Sequence, residues 1–146
     1  MTTIFTLLKK DHQNVKELLQ EILSTSERAI ASRQKLFAKL KSELQQHEDI
    51  EESVVYPVFK EIEQLKPLVL EAYEEHALVD DLLAKIEATS AEEESWKAKI
   101  TVLKENLMHH IKEEEEQIFP LAKQYVDTEI LDEMAAEMQS IQQEQE

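Results

Sequence analysis

The sequence predicts an all-α fold, an antiparallel up-down-up-down four-helix bundle with a short additional C-terminal helix. Three observations lead there. The chain contains no glycine, which disfavours tight β-hairpins, phosphate-cradling loops and dinucleotide fingerprints, all of which need positive φ or close backbone approach. The residues used instead, Leu, Glu, Lys, Gln and Ala, are helix formers. Apolar residues recur every three or four positions, the period of a helix with one buried face. With 146 residues, 42% hydrophobic and 33% charged, the chain suits a single water-soluble domain over 1–146, the bundle taking about 1–125 and a C-terminal helical segment about 127–143.

The first stripe runs Ile4, Leu8, His12, Val15, Leu19, Ile22, within a helical region from Thr3 to about Ile30. Thr2 or Thr3 suits its N-cap, and Ser24-Thr25-Ser26 loosens it. Ser32 is the expected cap of the second helix, whose stripe is Leu36, Leu40, Leu44, His47, Glu51, Val54, Val58. Pro57 cannot donate to the carbonyl of Ser53, so a kink or loosened turn is expected there. Lys66-Pro67 connects into the third helix, with Val69, Ala72, His76, Val79, Leu83 and Ile86 on one face. Ser90-Ala91-Glu92-Glu93 has the form of a capping box for the fourth helix, which carries Leu103, Leu107, His110, Glu114, Ile118 and Leu121 until Pro120 disturbs it. A weaker stripe, Ile130, Leu131, Met134, Met138, Ile141, begins near Asp127-Thr128. Packing on the bundle and self-association are both open to it.

The net charge of −16 repels nucleic-acid phosphates and anionic membrane surfaces, so neither is an expected partner. Zero cysteine excludes disulfides, thiolate zinc sites and iron–sulfur ligation. No apolar run approaches membrane-spanning length and no signal-peptide pattern opens the chain, so a cytoplasmic location is expected.

Within this frame one motif occurs twice. His47-Glu48-Asp49-Ile50-Glu51-Glu52-Ser53-Val54-Val55-Tyr56-Pro57 and His110-Ile111-Lys112-Glu113-Glu114-Glu115-Glu116-Gln117-Ile118-Phe119-Pro120 both read H-x-x-x-E-E-x-x-x-aromatic-P. Residues four apart on a helix differ by about 40° in direction and about 6 Å in height, so each His and Glu share a face and can reach one ion or a close pair. The repeat extends further. Asp11-His12-x-x-Val15-x-x-Leu18-Leu19-x-x-Ile22 matches Glu75-His76-x-x-Val79-x-x-Leu82-Leu83-x-x-Ile86. Each half therefore reads as a helical hairpin with one His on its first arm and a His and a Glu on its second.

In antiparallel helices, residues at one height lie equally far from the connecting turn. The midpoint of His12 and His47 is position 29 or 30, that of Glu51 and His76 is 63 or 64, and that of His76 and His110 is 93. All fall near the connections expected on other grounds. Four histidines and two glutamates thus reach one level of the bundle. Six such groups buried without a partner would be costly, and a pair of divalent ions removes the cost. Glu51 and Glu114 would bridge the ions, with two histidines on each and open positions left for reaction. Nitrogen and oxygen donors without sulfur suit iron, manganese or zinc.

A lone histidine on a core face is more often hydrogen-bonded than ligating; four on matching faces with two inward glutamates reverse that. His109 also has a glutamate four residues on, Glu113, but both fall off the apolar stripe, and His109 is read as surface. Glu52 and Glu115 adjoin the ligands as supporting or solvated groups. Tyr56 and Phe119 read as core aromatics, Tyr56 with a hydroxyl near the site.

These residues resemble the hemerythrin-like family, the HHE cation-binding domain, over nearly all of residues 1–125. The resemblance implies a non-haem di-iron centre, two iron ions bridged by two carboxylates and an oxo or hydroxo group, with His12, His47, Glu51, His76, His110 and Glu114 as ligands. A ferritin-type site fits less well, because no His has a Glu three residues before it. Oxygen-carrying members have a further His where this chain has Asp80, and an Asp where it has Glu115. The ligand set looks more like di-iron proteins of peroxide or nitric oxide stress and iron-centre repair, or like iron and oxygen sensors. The leading expectation is a di-iron protein that reacts with or senses O2, peroxide or nitric oxide, with possible redox activity. The alternatives are iron storage or donation, oxygen carriage, and a purely structural bundle.

Overall fold

The computed structural model describes residues 2–145. It consists of helices and turns, with no strand among the described residues. Helix α1 spans Ile4–Leu23. Helix α2, Ile30–Ile50, runs through a π-helical turn, Glu51–Val55, into a short α-helical end, Tyr56–Phe59. Helix α3 is Lys66–Glu87. Helix α4, Glu94–Glu113, likewise passes through a π turn, Glu114–Ile118, into Phe119–Tyr125. Helix α5 is Thr128–Glu144. No described residue has positive φ, as a chain without glycine requires.

Thr3 caps α1 reciprocally with Thr6, each side-chain oxygen accepting the other's backbone N–H at 3.1 and 2.9 Å. The helix ends at Leu23, one residue past the last of its stripe, because Ser24 and Thr25 turn their hydroxyls back onto the Glu21 and Ile22 carbonyls. Ser32 is not the cap of α2. Ala29 holds that position without a side-chain bond, which places Arg33 in the first turn with its side chain buried. The guanidinium donates to Thr25 Oγ1 at 2.9 Å, the Thr25 carbonyl at 3.2 Å and the Ala91 carbonyl at 2.7 Å, and it lies 4.8 Å from the centre of the Trp96 ring. The capping box at Ser90 does not form either. The Ser90 carbonyl accepts the Glu93 N–H in a turn, Ala91 serves Arg33, and Glu93 becomes the N-cap without a side-chain bond.

The loosened turn expected at Pro57 is present, and its twin precedes Pro120. In each π turn the N–H five residues on closes the ring, Tyr56 onto the Glu51 carbonyl and Phe119 onto the Glu114 carbonyl. The proline that follows stands in the first turn of the next α-helical stretch, where its missing N–H is least costly.

Two apolar clusters fill the interior. One packs Val15, Leu19, Ile22, Phe37, Leu40, Val79, Leu83, Trp96, Ile100 and Leu103 around the Arg33 end. The other packs Ile4, Leu8, Val55, Tyr56, Phe59, Leu65, Val69, Ile118 and Ala122 around the π turns. Helix α5 completes the second cluster with Leu131, Met134, Ala135 and Met138, packing on α1 and on the π turn of α2; Ile130 faces outward. At about 1.5–3 kcal/mol for each large apolar side chain buried, these clusters dominate the stability of the fold. Between them, one turn from each along every long helix, lies a polar layer.

Candidate metal centre

That layer contains His12 from α1, His47 and Glu51 from α2, His76 from α3, and His110 and Glu114 from α4, all buried. The six residues singled out by spacing are thus brought together. Both glutamates are the first residues of the π turns and have no solvent exposure. The His12 and His47 rings meet edge to face at 5.0 Å, as do His76 and His110. His12 Nε2 stands 3.1 Å from Glu114 Oε1, His47 Nε2 3.2 Å from Glu51 Oε1, His76 Nε2 3.2 Å from the same Glu51 oxygen, and His110 Nε2 3.2 Å from Glu114 Oε2.

None of these close approaches has the geometry of a hydrogen bond. Among the described residues, every buried side-chain nitrogen or oxygen without a hydrogen-bond partner belongs to these six residues: the four histidine Nε2 atoms, both oxygens of Glu51 and Oε1 of Glu114. One unsatisfied buried polar group costs about 1–3 kcal/mol. Donors about 2.1 Å from a shared ion stand about 3.0–3.4 Å apart for octahedral to tetrahedral geometry, and the four pairs fall in that range. The donor set therefore fits metal cations. Two groups of converging donors lie within the layer, His12, His47, Glu51 and Glu114 on one side and Glu51, His76 and His110 on the other.

The outward face of each imidazole is fixed by a carboxylate from the adjoining helix. Asp11 holds His47 Nδ1 at 2.8 Å, Glu52 holds His76 Nδ1 at 2.8 Å, Glu75 holds His110 Nδ1 at 2.7 Å, and Glu115 holds His12 Nδ1 at 2.7 Å. Each of these acids is the immediate sequence neighbour of a layer residue, so every helix orients the histidine of another and the contacts close into a ring. An imidazole whose Nδ1–H is donated in this way presents the Nε2 lone pair inward, the tautomer a metal requires. The sequence reads Glu52 and Glu115 as supporting or solvated groups, and the structure gives each a histidine to hold. Asp11 and Glu75 went unassigned, although both directly precede a histidine within the repeat.

The electrostatics follow from burial among carboxylates. Burial alone would push the His47, His76 and His110 imidazoles down, but Glu51, Glu114 and the ring carboxylates outweigh it and hold all three above the ordinary histidine range. Burial would likewise raise Glu51, yet His47, His110 and His76 hold it well below the usual carboxylate range. Protons on the imidazoles thus occupy, in charge, the place of a cation. Tyr56 is fully buried and donates its hydroxyl to Glu114 Oε2 at 2.5 Å; burial and the Glu114 and Glu51 charges push its phenol well up. Its ring stacks on His76, and Phe119, its counterpart in the repeat, stacks on His12.

A cavity of about 20 Å³ opens on the histidine side of the layer, walled by Val15, Leu44, Val79 and Leu107 and edged by Glu48. A water needs roughly 10–15 Å³, so the space matches one small molecule. Glu48 is buried beside Asp80, and burial followed by that neighbour raises its carboxyl to about 8. Asp80 is exposed and belongs to none of the converging donor groups. His109 is 72% exposed and stands outside the layer, as its position off the stripe implied.

A family model described as the hemerythrin HHE cation binding domain matches residues 3–122. An uncharacterized hemerythrin-like protein of Schizosaccharomyces pombe is 32% identical over 132 residues, covering 88% of this chain and 64% of that protein. The chain thus spans less than two thirds of that relative's length. The crystal structure of a hemerythrin HHE cation-binding domain-containing protein from Mycobacterium kansasii has a similar fold, with a TM-score of 0.81 and 27% identity over 97% of this chain and 88% of that one. No helix among the described residues is long and apolar enough to cross a membrane.

Proposed function

The chain belongs to the hemerythrin HHE cation-binding family, and on that premise we propose that it is a cytoplasmic non-haem di-iron protein that reacts with or senses O2, peroxide or nitric oxide. His12 and His47 would hold one ion, His76 and His110 the other, with Glu51 and Glu114 shared between them. The observation that carries this reading is the set of four inward Nε2 atoms and three carboxylate oxygens, both of Glu51 and Oε1 of Glu114, buried together without hydrogen bonds. When bound, iron supplies the electrons and the open coordination positions for a small oxidant or gas.

The chain's own residues shape what can happen there. Asp11, Glu52, Glu75 and Glu115 fix the imidazole orientations. The Tyr56 hydroxyl occupies one oxygen of Glu114 and leaves Glu51 without an equivalent donor, so the two ion positions differ. The apolar walls Val15, Leu44, Val79 and Leu107 exclude bulk water from the histidine side and leave room for a molecule of two or three atoms. Glu48, its carboxyl raised to about 8 by burial and by Asp80, lines the edge of that space.

The test is to load the protein with ferrous iron without air and follow its spectrum on separate addition of O2, peroxide and nitric oxide. A band that forms with one of them faster than iron is lost to a chelator supports reaction or sensing, and its reversal on gas removal would identify oxygen carriage. Immediate iron loss to the chelator with no band would contradict the proposal and favour iron donation.

A further inference from the structure

One cluster of donors stands outside the buried layer. On the exposed face where α3 meets α4, His109 Nε2 lies 3.6 Å from Glu75 Oε2 and 3.4 Å from Glu113 Oε2. Donors about 2.1 Å from one tetrahedral ion lie about 3.4 Å apart, so the imidazole stands near ligand spacing from both carboxylates, and the three side chains form one of the converging donor groups, with ligand atoms within 4.8 Å of one another. His109 and Glu113 are four apart on α4, and Glu75 comes from α3, so two packed helices fix the triangle rather than one mobile surface segment. Glu75 and Glu113 are 19% and 11% exposed, and no Lys or Arg pairs with either among the described residues.

The repeat supplies an independent comparison. Asp11 is the counterpart of Glu75, and each uses one oxygen to hold a layer histidine. The second oxygen of Asp11 is taken by the amide of Gln142 at 3.3 Å. The second oxygen of Glu75 instead faces His109. The first-half positions matching His109 and Glu113 are Gln46 and Ile50, so the donor triangle exists in one half only.

We propose that His109, Glu113 and Glu75 form a separate, solvent-accessible site for a single divalent transition-metal ion. An imidazole with two carboxylates is a donor set for Zn2+, Fe2+, Mn2+ or Co2+, and solvent completes the coordination. The site shares Glu75 with the buried layer, one oxygen on the surface ion and the other on His110 Nδ1 at 2.7 Å, so the two sites touch through one carboxylate.

Equilibrium dialysis of the full chain against Zn2+, with metal counted by elemental analysis, tests this on wild type, H109A, H109A/E113Q and E51A/E114A. H109A and H109A/E113Q are expected to hold one equivalent fewer than wild type, and E51A/E114A to keep that equivalent while losing the buried ones. H109A and H109A/E113Q that bind as many equivalents as wild type, with unchanged affinity, overturn the surface site. Failure of the buried centre would show separately, as an unchanged count in E51A/E114A.

Discussion

Tyr56 donates its hydroxyl to Glu114 across the repeat axis at 2.5 Å, while Phe119, at the matching place in the second half, offers Glu51 nothing. A near-symmetric site is thereby made unequal by one oxygen atom. Y56F should cost the metal-free protein about 1–3 kcal/mol, since it leaves a carboxylate oxygen without its buried donor. It should keep the metal count but change the absorbance of the iron-loaded form. Denaturant unfolding and a spectrum check both parts, and an unchanged spectrum would show that the hydroxyl does not tune the centre.

The ring of carboxylates behind the histidines gives a graded prediction. Removing a group that orients a ligating histidine typically lowers metal affinity about 10–100-fold. D11A should fall in that range, because Asp11 is mostly buried and holds His47. E52A should lose less, because Glu52 is 41% exposed and water can replace it on His76. Competition with a chelator of known affinity orders the two. Equal losses would argue against orientation as the mechanism.

The pH dependence of the metal-free protein follows from the imidazoles. His47, His76 and His110 are raised in the folded state, so the stability from their ion pairs is fully present below the unfolded value of about 6.5 and is lost as pH rises through the folded values. Glu51 is lowered, and its share is present above the unfolded carboxylate value and lost as pH falls through the folded one. The Tm of metal-free protein should therefore decline from near neutrality into the alkaline range. Bound metal should flatten that decline, because the ion replaces the protons, and metal affinity should rise with pH. A metal-free Tm that climbs with pH would contradict the assignment.

Glu48 acts in the same direction for a different reason. Its carboxyl is raised from 4.5 to about 8, so the unfolded chain ionises first and stability falls as pH rises between those values. E48Q keeps the shape without the charge and should remove this part of the slope, gaining up to about 4 kcal/mol near pH 8. Unfolding midpoints of wild type and E48Q compared across that range measure it, and parallel curves would show that Glu48 ionises freely.

The legible parts of the molecule are those that local spacing encodes. His47 and Glu51, and His110 and Glu114, announce a shared face because four residues make about one turn, and the matched distances to His12 and His76 set the common level. Cross-helix partners are not encoded this way. Asp11 and Glu75 look like ordinary surface acids until α2 and α4 are laid beside them, and Arg33 looks like a surface base until Thr25 and Ala91 receive it. The caps expected at Ser32 and Ser90 fail for that same reason, since the backbone there answers to the buried guanidinium rather than to a local hydroxyl. Pro57 and Pro120 signalled a loosened turn. That each loosened turn is a π turn opening on a layer glutamate depends on the glutamate's burial, which the proline alone does not convey. Of the two roles open to helix α5, Leu131, Met134 and Met138 show packing on the bundle, where they complete the core.

In the proposed centre Glu51 and Glu114 complete a two-ion site with the four histidines. The most direct measurement is iron content per chain for wild type and E51A/E114A prepared without air, with helicity of both checked by circular dichroism. Two irons are expected in wild type, and loss of both from a variant that remains helical. A folded variant that retains both irons with unchanged affinity would contradict the two-ion site.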